Sequence, residues 1–364
     1  MKTKNILTFL LSIGIFITSC KKPKPVPPRG DYDGGYFVLN EGQFMHDNAS
    51  ISFLKKNFEE TEDSVYYKVN NENIGDIAQS LYARGDKMYI VVNNSNKILV
   101  TKRWTMKKTA EMTAYVKSPR YMTKIDNRYA ALSNWGEVFD SNWSPVDDDF
   151  VAFVDTDNDV ITDTLHVHLG AGKMLYQGGN LYVLIAGLGA NNGGNEVAVI
   201  DPAARQVTGY ITVGDRPADI VKDDNDQLWV LCSGNPSWTG NETAATIYQI
   251  NPATNQVESS AFIPGGHPQF LTYIDGNLYT IIDNVLVKLI VNGNTLQIET
   301  LKDLASAGIQ TPYGMDYADE KLFITDARDY QSAGKVFIFD ARNQFNKIGE
   351  FTTGFLPNSV LLNE

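Results

Sequence analysis

Short apolar runs alternate with tight polar turns along most of this sequence. In "GGHPQFLTYIDGNLYTIID", residues 265–283, two apolar runs flank an Asp-Gly-Asn turn. Two apolar runs joined by such a turn predict a β-hairpin. The runs are short and lack the 3.6-residue period of an amphipathic helix, so the pattern indicates strands.

The same hairpin recurs along the chain at intervals of about 47 residues. Further copies begin at residues 77, 119, 173, 217 and 312, and a third and a fourth strand are predicted after each hairpin. The second strand of each hairpin carries an aromatic residue: Tyr89, Tyr129, Tyr182, Trp229, Tyr279 and Phe323. Four short strands per repeat are typical of a β-propeller blade.

The two ends of the repeat region complement each other. "GGYFVLNEG" predicts a second strand, and "ASISFLKKNFEETEDSVYYKV" predicts a third and a fourth, but no first strand precedes them. "LPNSVLLNE" at the C-terminus is a first strand without a blade. Joining the two gives a seventh blade and leaves no open sheet edge. The prediction is therefore all-β: a seven-bladed propeller over residues 34–364.

The N-terminal residues predict a targeting segment. Residues 1–19 carry Lys2 and Lys4 before a short apolar stretch, as in a signal peptide. The following Ile-Thr-Ser-Cys resembles the lipobox of bacterial lipoproteins, in which cleavage precedes a lipidated cysteine, here Cys20. Residues 20–33 are rich in Pro and Gly and predict a flexible tether. We expect a lipid-anchored protein, with ordinary secretion as the alternative.

The net charge and the cysteine content exclude some classes of partner and of cross-link. The formal net charge is -12, so nucleic acid, which attracts clustered Lys and Arg, is not an expected partner. Cys232 is the one cysteine that would follow Cys20 in a mature chain. It therefore has no intramolecular disulfide partner, and its position predicts a small buried residue on a strand.

Propeller topology predicts where a ligand would bind. The loops before each inner strand and those between second and third strands share one face, and here they are long and aromatic. Such loops usually carry function. The candidate ligand-binding residues are Phe44, His46, Arg120, Trp135, Trp143, Arg216, Trp238, His267, Tyr313 and Tyr330. For each, the alternative is local packing or capping within its own loop.

The sequence offers no recognisable catalytic or metal-binding constellation. GxSxG, HExxH and P-loop motifs are absent. His166 and His168 alternate on a predicted strand but lack an evident third ligand, and the acidic residues at 155–159 lack the glycine and distal glutamate of an EF-hand. We therefore predict no catalytic residue, no metal and no cofactor, and expect the protein not to be an enzyme.

Several segments resemble a known group. "VIDPAARQVTGYITVGDRPADIV" and "IYQINPATNQVESS" resemble YncE-like, YVTN-type seven-bladed propellers. "GYFVLNEGQF" and "IAQSLYARGDKMYIVVNNSNKI" resemble the propeller lipoproteins of Bacteroidota, including BtuG-type surface proteins. That resemblance implies cobalamin capture for a TonB-dependent transporter, on an outer membrane and at the cell surface. Lys21, Lys22 and Lys24 after Cys20 leave a periplasm-facing anchor as the alternative.

Three functions follow as hypotheses. The first is capture of a large amphipathic ligand, with cobalamin or another corrinoid as the leading candidate, because a flat macrocycle needs a broad face of aromatic and amide groups. The second is a protein-interaction scaffold within an outer-membrane uptake complex. The third is a propeller lactonase or lyase.

Overall fold

The computed structural model describes residues 28–188 and 192–364. The predicted signal peptide (residues 1–19), the predicted lipidation site Cys20 and most of the predicted tether lie outside the described residues. The rest of the chain forms seven four-stranded antiparallel sheets, each ordered from an inner to an outer strand. The fold prediction of a seven-bladed β-propeller is thus confirmed.

Strands are numbered along the chain, and each blade is given from its inner strand outward. Blade 1 comprises β28 (Pro357–Asn363), β1 (Gly35–Asn40), β2 (Ser50–Lys55) and β3 (Thr61–Glu62). Blade 2 comprises β4 (Ala78–Arg84), β5 (Lys87–Val92), β6 (Lys97–Lys102) and β7 (Lys108–Met112). Blade 3 comprises β8 (Pro119–Lys124), β9 (Tyr129–Asn134), β10 (Phe150–Asp155) and β11 (Val160–His166).

The remaining four blades follow the same order. Blade 4 comprises β12 (Ala171–Gln177), β13 (Asn180–Leu188), β14 (Asn192–Asp201) and β15 (Gln206–Thr212). Blade 5 comprises β16 (Pro217–Lys222), β17 (Leu228–Cys232), β18 (Ala245–Asn251) and β19 (Gln256–Ile263). Blade 6 comprises β20 (Leu271–Ile274), β21 (Asn277–Ile282), β22 (Val285–Asn292) and β23 (Thr295–Asp303). Blade 7 comprises β24 (Pro312–Ala318), β25 (Lys321–Asp326), β26 (Lys335–Asp340) and β27 (Asn346–Thr352).

The second strands carry the core between blades. Almost every residue of β5, β9, β17 and β25 is buried, because both faces of these strands are covered by neighbouring blades. Tyr36 on β1 and Phe323 on β25 illustrate the contact, with ring centroids 4.7 Å apart. The near-continuous apolar runs in the sequence follow from this two-sided burial.

Two buried tyrosines form hydrogen bonds from one blade to the next. The Tyr89 hydroxyl donates to the Thr156 carbonyl at 3.0 Å and to Asp159 at 2.6 Å. The Tyr182 hydroxyl in blade 4 reaches the corresponding turn of blade 5. Each ring fills the apolar space between blades while its hydroxyl satisfies a turn, which is a use of tyrosine common at interfaces.

The ring closes as the sequence predicts. β28 pairs antiparallel with β1, and Gly35 and Asn363 are partners at one end of the register. The first and last strands of the described chain therefore share blade 1, and neither is left as an open edge. Cys232 is fully buried on β17, as expected, and burial raises the pKa of its thiol.

The fourth strand predicted for blade 1 is present but very short. β3 contains only Thr61 and Glu62, and the residues after it form helix α1 (Val65–Asn70). Val65 and Tyr66 are fully buried in the blade 1 core. The physical reason is that this helix delivers adjacent apolar side chains to the core, whereas a strand would turn one of them outward.

Two further short helical segments occur. They are α2 (Leu304–Ala307) and a single 3₁₀ turn at Ser237–Thr239. The Asp303 carboxylate accepts hydrogen bonds from two backbone N–H groups at the start of α2, as an N-cap does. Across residues 28–188 and 192–364, no helix has the length and apolar character needed to cross a membrane.

Candidate ligand-binding face

Strand topology places the long loops on one face of the ring. This loop face carries the connections between second and third strands, including residues 41–49, 135–149, 233–244 and 327–334, together with the connections between blades. The opposite face carries short turns. Asp201 in one of these accepts from the N–H groups of Ala203 and Ala204, a side-chain turn that explains its Asp-Pro-Ala sequence.

A cavity of about 410 Å³ lies at the centre of the ring and opens on the loop face. Its walls come mainly from the inner strands. The second residue of four of these strands lines it: Gln79, Arg120, Tyr313 and Asn358. The corresponding residues of blades 4 and 5 are Gly172 and Ala218, so small side chains leave space there.

Arg120 lines the cavity, and Trp135 packs against it. The Arg120 guanidinium carbon lies 3.9 Å from the centroid of the Trp135 ring and 5.7 Å from that of Tyr121. Arg120 Nε and Trp135 Nε1 are both buried without a hydrogen-bond partner. Two predicted site residues are thus brought together with unused donors, which is unusual for buried polar atoms.

Glu41 and Tyr313 line another part of the cavity, and Tyr330 contacts Tyr313 there. Burial raises the pKa of the Glu41 carboxyl, and its interactions with Tyr313, Arg120 and Asn358 oppose that rise. The Tyr313 and Tyr330 rings meet edge to face with centroids 5.9 Å apart. Gln43 donates to the Tyr330 carbonyl at 3.2 Å, which joins two loops from neighbouring blades.

The sequence did not predict the ionisable groups that lie deeper in the channel. Lys173 forms an ion pair of 2.8 Å with Asp219. Asp316 accepts from the Val360 N–H at 2.7 Å, and burial raises the pKa of its carboxyl to about 6. These residues stand inside predicted strands, and the available signal was a charge within an otherwise apolar inner strand.

Arg216, Trp238 and His267 form a second cluster on the loop face. Arg216 Nε donates to Asn235 at 2.9 Å, and its guanidinium carbon lies 5.6 Å from the Trp238 ring. His267 Nδ1 lies 2.7 Å from the Ser233 carbonyl oxygen. Arg216 and His267 therefore both hold the loop after β17 in place. Their exposed edges are still able to contact a ligand.

The other candidates stand out from the surface. Phe44 is 64 % exposed, Trp143 81 % and Trp238 69 %, and His46 is exposed as well. Trp143 contacts Phe139 within its own loop, with centroids 6.0 Å apart. The structure therefore places Phe44, His46 and Trp143 on the loop face without joining them to the central cavity.

Residues 34–235 match a family described as a domain of unknown function, DUF5074. The chain belongs to the DUF5074 family. No curated protein matches the sequence.

Solved structures share the fold of this DUF5074 propeller at low identity. A hydrazine synthase of Kuenenia stuttgartiensis is 15 % identical, with a TM-score of 0.58, and the match covers 76 % of this chain and 86 % of that one. A functionally unknown protein from Desulfotomaculum acetoxidans is 12 % identical (TM-score 0.59; 90 % and 98 % covered). Apo AztD from Citrobacter koseri is also 12 % identical (TM-score 0.52; 90 % and 96 % covered). The resemblance to YncE-like and BtuG-type proteins stays a prediction.

The two histidines that the sequence placed on one strand, His166 and His168, have separate partners. His168 lies beyond the end of β11, stacks on Tyr210 and approaches Glu196 at 2.7 Å. His166 Nε2 instead lies 3.1 Å from the Asp147 carbonyl oxygen. Within the described ranges, no group of three or more His, Cys, Asp and Glu side chains is placed to hold a metal ion.

Proposed function

We propose that this DUF5074 propeller binds a large amphipathic ligand across the mouth of its central channel, on the loop face. The observation that carries the proposal is the polar cavity of about 410 Å³ beneath an aromatic rim. By the rim we mean Tyr313, which lines the cavity, together with Tyr330 and Trp135, which contact the lining residues Tyr313 and Arg120. Concave sites with apolar walls and a few convergent polar groups are where proteins bind small molecules.

Cobalamin is the first ligand to test. A corrinoid combines a flat ring with many amide side chains, and the rim offers aromatic faces beside unused N–H donors on Arg120 and Trp135. A cavity of this volume receives part of such a ligand, and the rest lies over the surrounding loops. The sequence resemblance to cobalamin-capturing lipoproteins supports the same choice.

The experiment is isothermal titration calorimetry with cyanocobalamin. We expect saturable binding to the wild type and binding weaker by about tenfold or more in Tyr313→Ala, because a stacking aromatic contributes about 1–3 kcal/mol. Tyr176→Ala is the matched control, since Tyr176 stands at the exposed end of β12, near the short-turn face. Absence of heat with any corrinoid would remove this ligand class.

Exposed apolar side chains favour protein docking as a second function of the same face. Phe44, Met45, Trp143 and Trp238 are each more than 60 % exposed, and all lie on loop-face connections. Exposed aromatic residues in such a setting are typical of protein interfaces. We propose that an outer-membrane transporter of the TonB-dependent class docks there and receives the ligand from a lipid-anchored propeller.

A lactonase or lyase reaction has less support. His267 would be the natural base, and its Nδ1 lies against the Ser233 carbonyl while its Nε2 lies 3.6 Å from Glu242. These contacts hold the imidazole against the β17–β18 loop. Turnover of a lactone, lost in His267→Ala, would favour this alternative over capture.

A further inference from the structure

Arg120 differs from the other charged groups of the central cavity. Its Nε is buried and donates to no acceptor in the described part of the chain. The planes of Trp135 and Tyr121 flank the guanidinium at 3.9 and 5.7 Å. Aromatic neighbours at these distances restrain a guanidinium and leave its edge for hydrogen bonding.

The neighbouring charges already have partners. Lys173 is ion-paired with Asp219, and Asp219 also accepts from the Leu271 N–H at 3.0 Å. Asp316 accepts from the backbone of Val360. These carboxylates are thus engaged with groups other than the Arg120 guanidinium.

Glu41 is the carboxylate that acts on Arg120 electrostatically. No described carboxylate lies within 4.0 Å of the Arg120 guanidinium, so Glu41 forms no ion pair with it. A half-buried cation without a close counter-charge costs free energy. An oxyanion entering the cavity would supply the missing partner.

We propose that Arg120 binds an oxyanion of the captured ligand, a carboxylate or a phosphate, at the mouth of the central cavity. Trp135 acts as the positioning residue, since its ring lies against the guanidinium and its buried Nε1 is a second unused donor. A planar guanidinium suits either group, because both offer two oxygens to its paired N–H groups. The inference rests on the proposed function and names the ligand group that enters the cavity.

The test uses inorganic phosphate and acetate as probes. We expect calorimetry to show saturable, millimolar binding of at least one of them to the wild type. Arg120→Met should weaken that binding by about 10- to 100-fold, the usual effect of losing a charge-assisted hydrogen bond. Arg120→Lys keeps the charge but loses the planar pair of donors. Its affinity for the anion should therefore lie between those of the wild type and Arg120→Met.

Arg342→Met is the matched control. Arg342 is 60 % exposed and ion-paired with Glu320 away from the cavity, so its removal should leave anion affinity unchanged. Trp135→Phe provides a second test that keeps an aromatic ring and removes the N–H. This variant should lower the affinity for the anion several-fold, and it remains informative if Arg120→Met does not fold.

The outcomes separate the two proposals. Tighter binding of phosphate than acetate indicates a phosphate-bearing ligand, and the reverse order a carboxylate. Equal anion affinity in the wild type and Arg120→Met, or no anion binding up to about 50 mM, would overturn the oxyanion site. Anion binding without any cyanocobalamin binding would keep the site and reject cobalamin as the ligand.

Discussion

The Asp149 carboxylate accepts a hydrogen bond of 2.8 Å from the backbone N–H of Ala171, across the boundary between blades 3 and 4. The same Oδ2 atom accepts from Gly170, while Oδ1 is buried without a partner. Asp149 is fully buried. Burial outweighs the two hydrogen bonds and raises the pKa of this carboxyl to about 7.

This pKa predicts how stability depends on pH. The folded-state pKa lies above the ordinary value of 3.8, so the protonated form is favoured on folding. The stabilisation that this carboxyl contributes is fully present below about pH 4 and is lost as the pH rises from 4 through 7. Between pH 5 and 8 the wild type should lose on the order of 2 kcal/mol relative to Asp149→Asn, which cannot ionise.

Urea denaturation of both proteins at several pH values measures the difference. Comparing slopes with pH removes any constant cost of the asparagine amide. Asp86→Asn serves as the control, because Asp86 is 60 % exposed and should leave the pH dependence unchanged. Parallel curves for the wild type and Asp149→Asn would show that this carboxyl does not couple to folding.

Tyr182→Phe should destabilise the fold without changing its shape. The variant keeps the buried ring and loses hydrogen bonds to the Pro252 carbonyl at 3.2 Å and to Asn255 at 2.6 Å. We expect the free energy of unfolding to fall by about 1–2 kcal/mol, since buried acceptors are left unpaired. Urea denaturation is the measurement. Tyr176→Phe removes an exposed hydroxyl and should have little effect.

Removal of residues 357–364 should abolish cooperative folding. The deletion takes away β28, the inner strand of blade 1, and exposes the edge of β1 from Gly35 to Asn40. A buried apolar edge without a partner invites aggregation. Circular dichroism melting tests this, with deletion of Glu364 alone as the control. A sharp, unshifted transition in the long deletion would contradict closure through β28.

His267→Ala should weaken ligand capture more than it weakens the fold. The imidazole makes one hydrogen bond to a loop carbonyl, so the free energy of unfolding should fall by no more than about 1 kcal/mol. Calorimetry with cyanocobalamin measures capture, and urea denaturation measures stability. Unchanged affinity together with a large loss of stability would assign His267 a capping role alone.

Trp143→Ala should separate docking from capture. Trp143 is 81 % exposed and contacts Phe139 in its own loop rather than the cavity wall. We expect cyanocobalamin affinity to stay within about twofold of the wild type, while co-purification with the transporter weakens, because exposed tryptophans are frequent interface hot spots. Loss of ligand affinity in this variant would place Trp143 in the binding site instead.

The sequence predicted the propeller because its signals are local and repeated. Each hairpin pairs neighbouring strands across a short turn, and the aromatic residue on the second strand recurs at Tyr89 and Tyr182. Closure was predictable because "LPNSVLLNE" lacks a blade of its own. Helix α1 was missed, since Val65 and Tyr66 occupy core positions that depend on neighbouring strands rather than on local periodicity.

The candidate site was predicted only in part, for a physical reason. Arg120 and Tyr313 follow a loop signal and do line the cavity. Lys173 and Asp316 face the same space from strands far apart in sequence, and their approach depends on the radius of the closed ring. The missing hydrogen-bond partner of Arg120 Nε is likewise a property of three-dimensional packing, which no spacing along the chain encodes.

The pairing of β1 with β28 also imposes an order on folding during synthesis. Gly35 and its partner Asn363 are separated in the chain by the strands of the six other blades, so blade 1 stays incomplete until β28 has been synthesised. Contacts this distant in sequence form slowly. Until β28 is available, the unpaired edge of β1 is exposed to pairing with other chains, so the order of synthesis sets a period in which the protein is prone to aggregation.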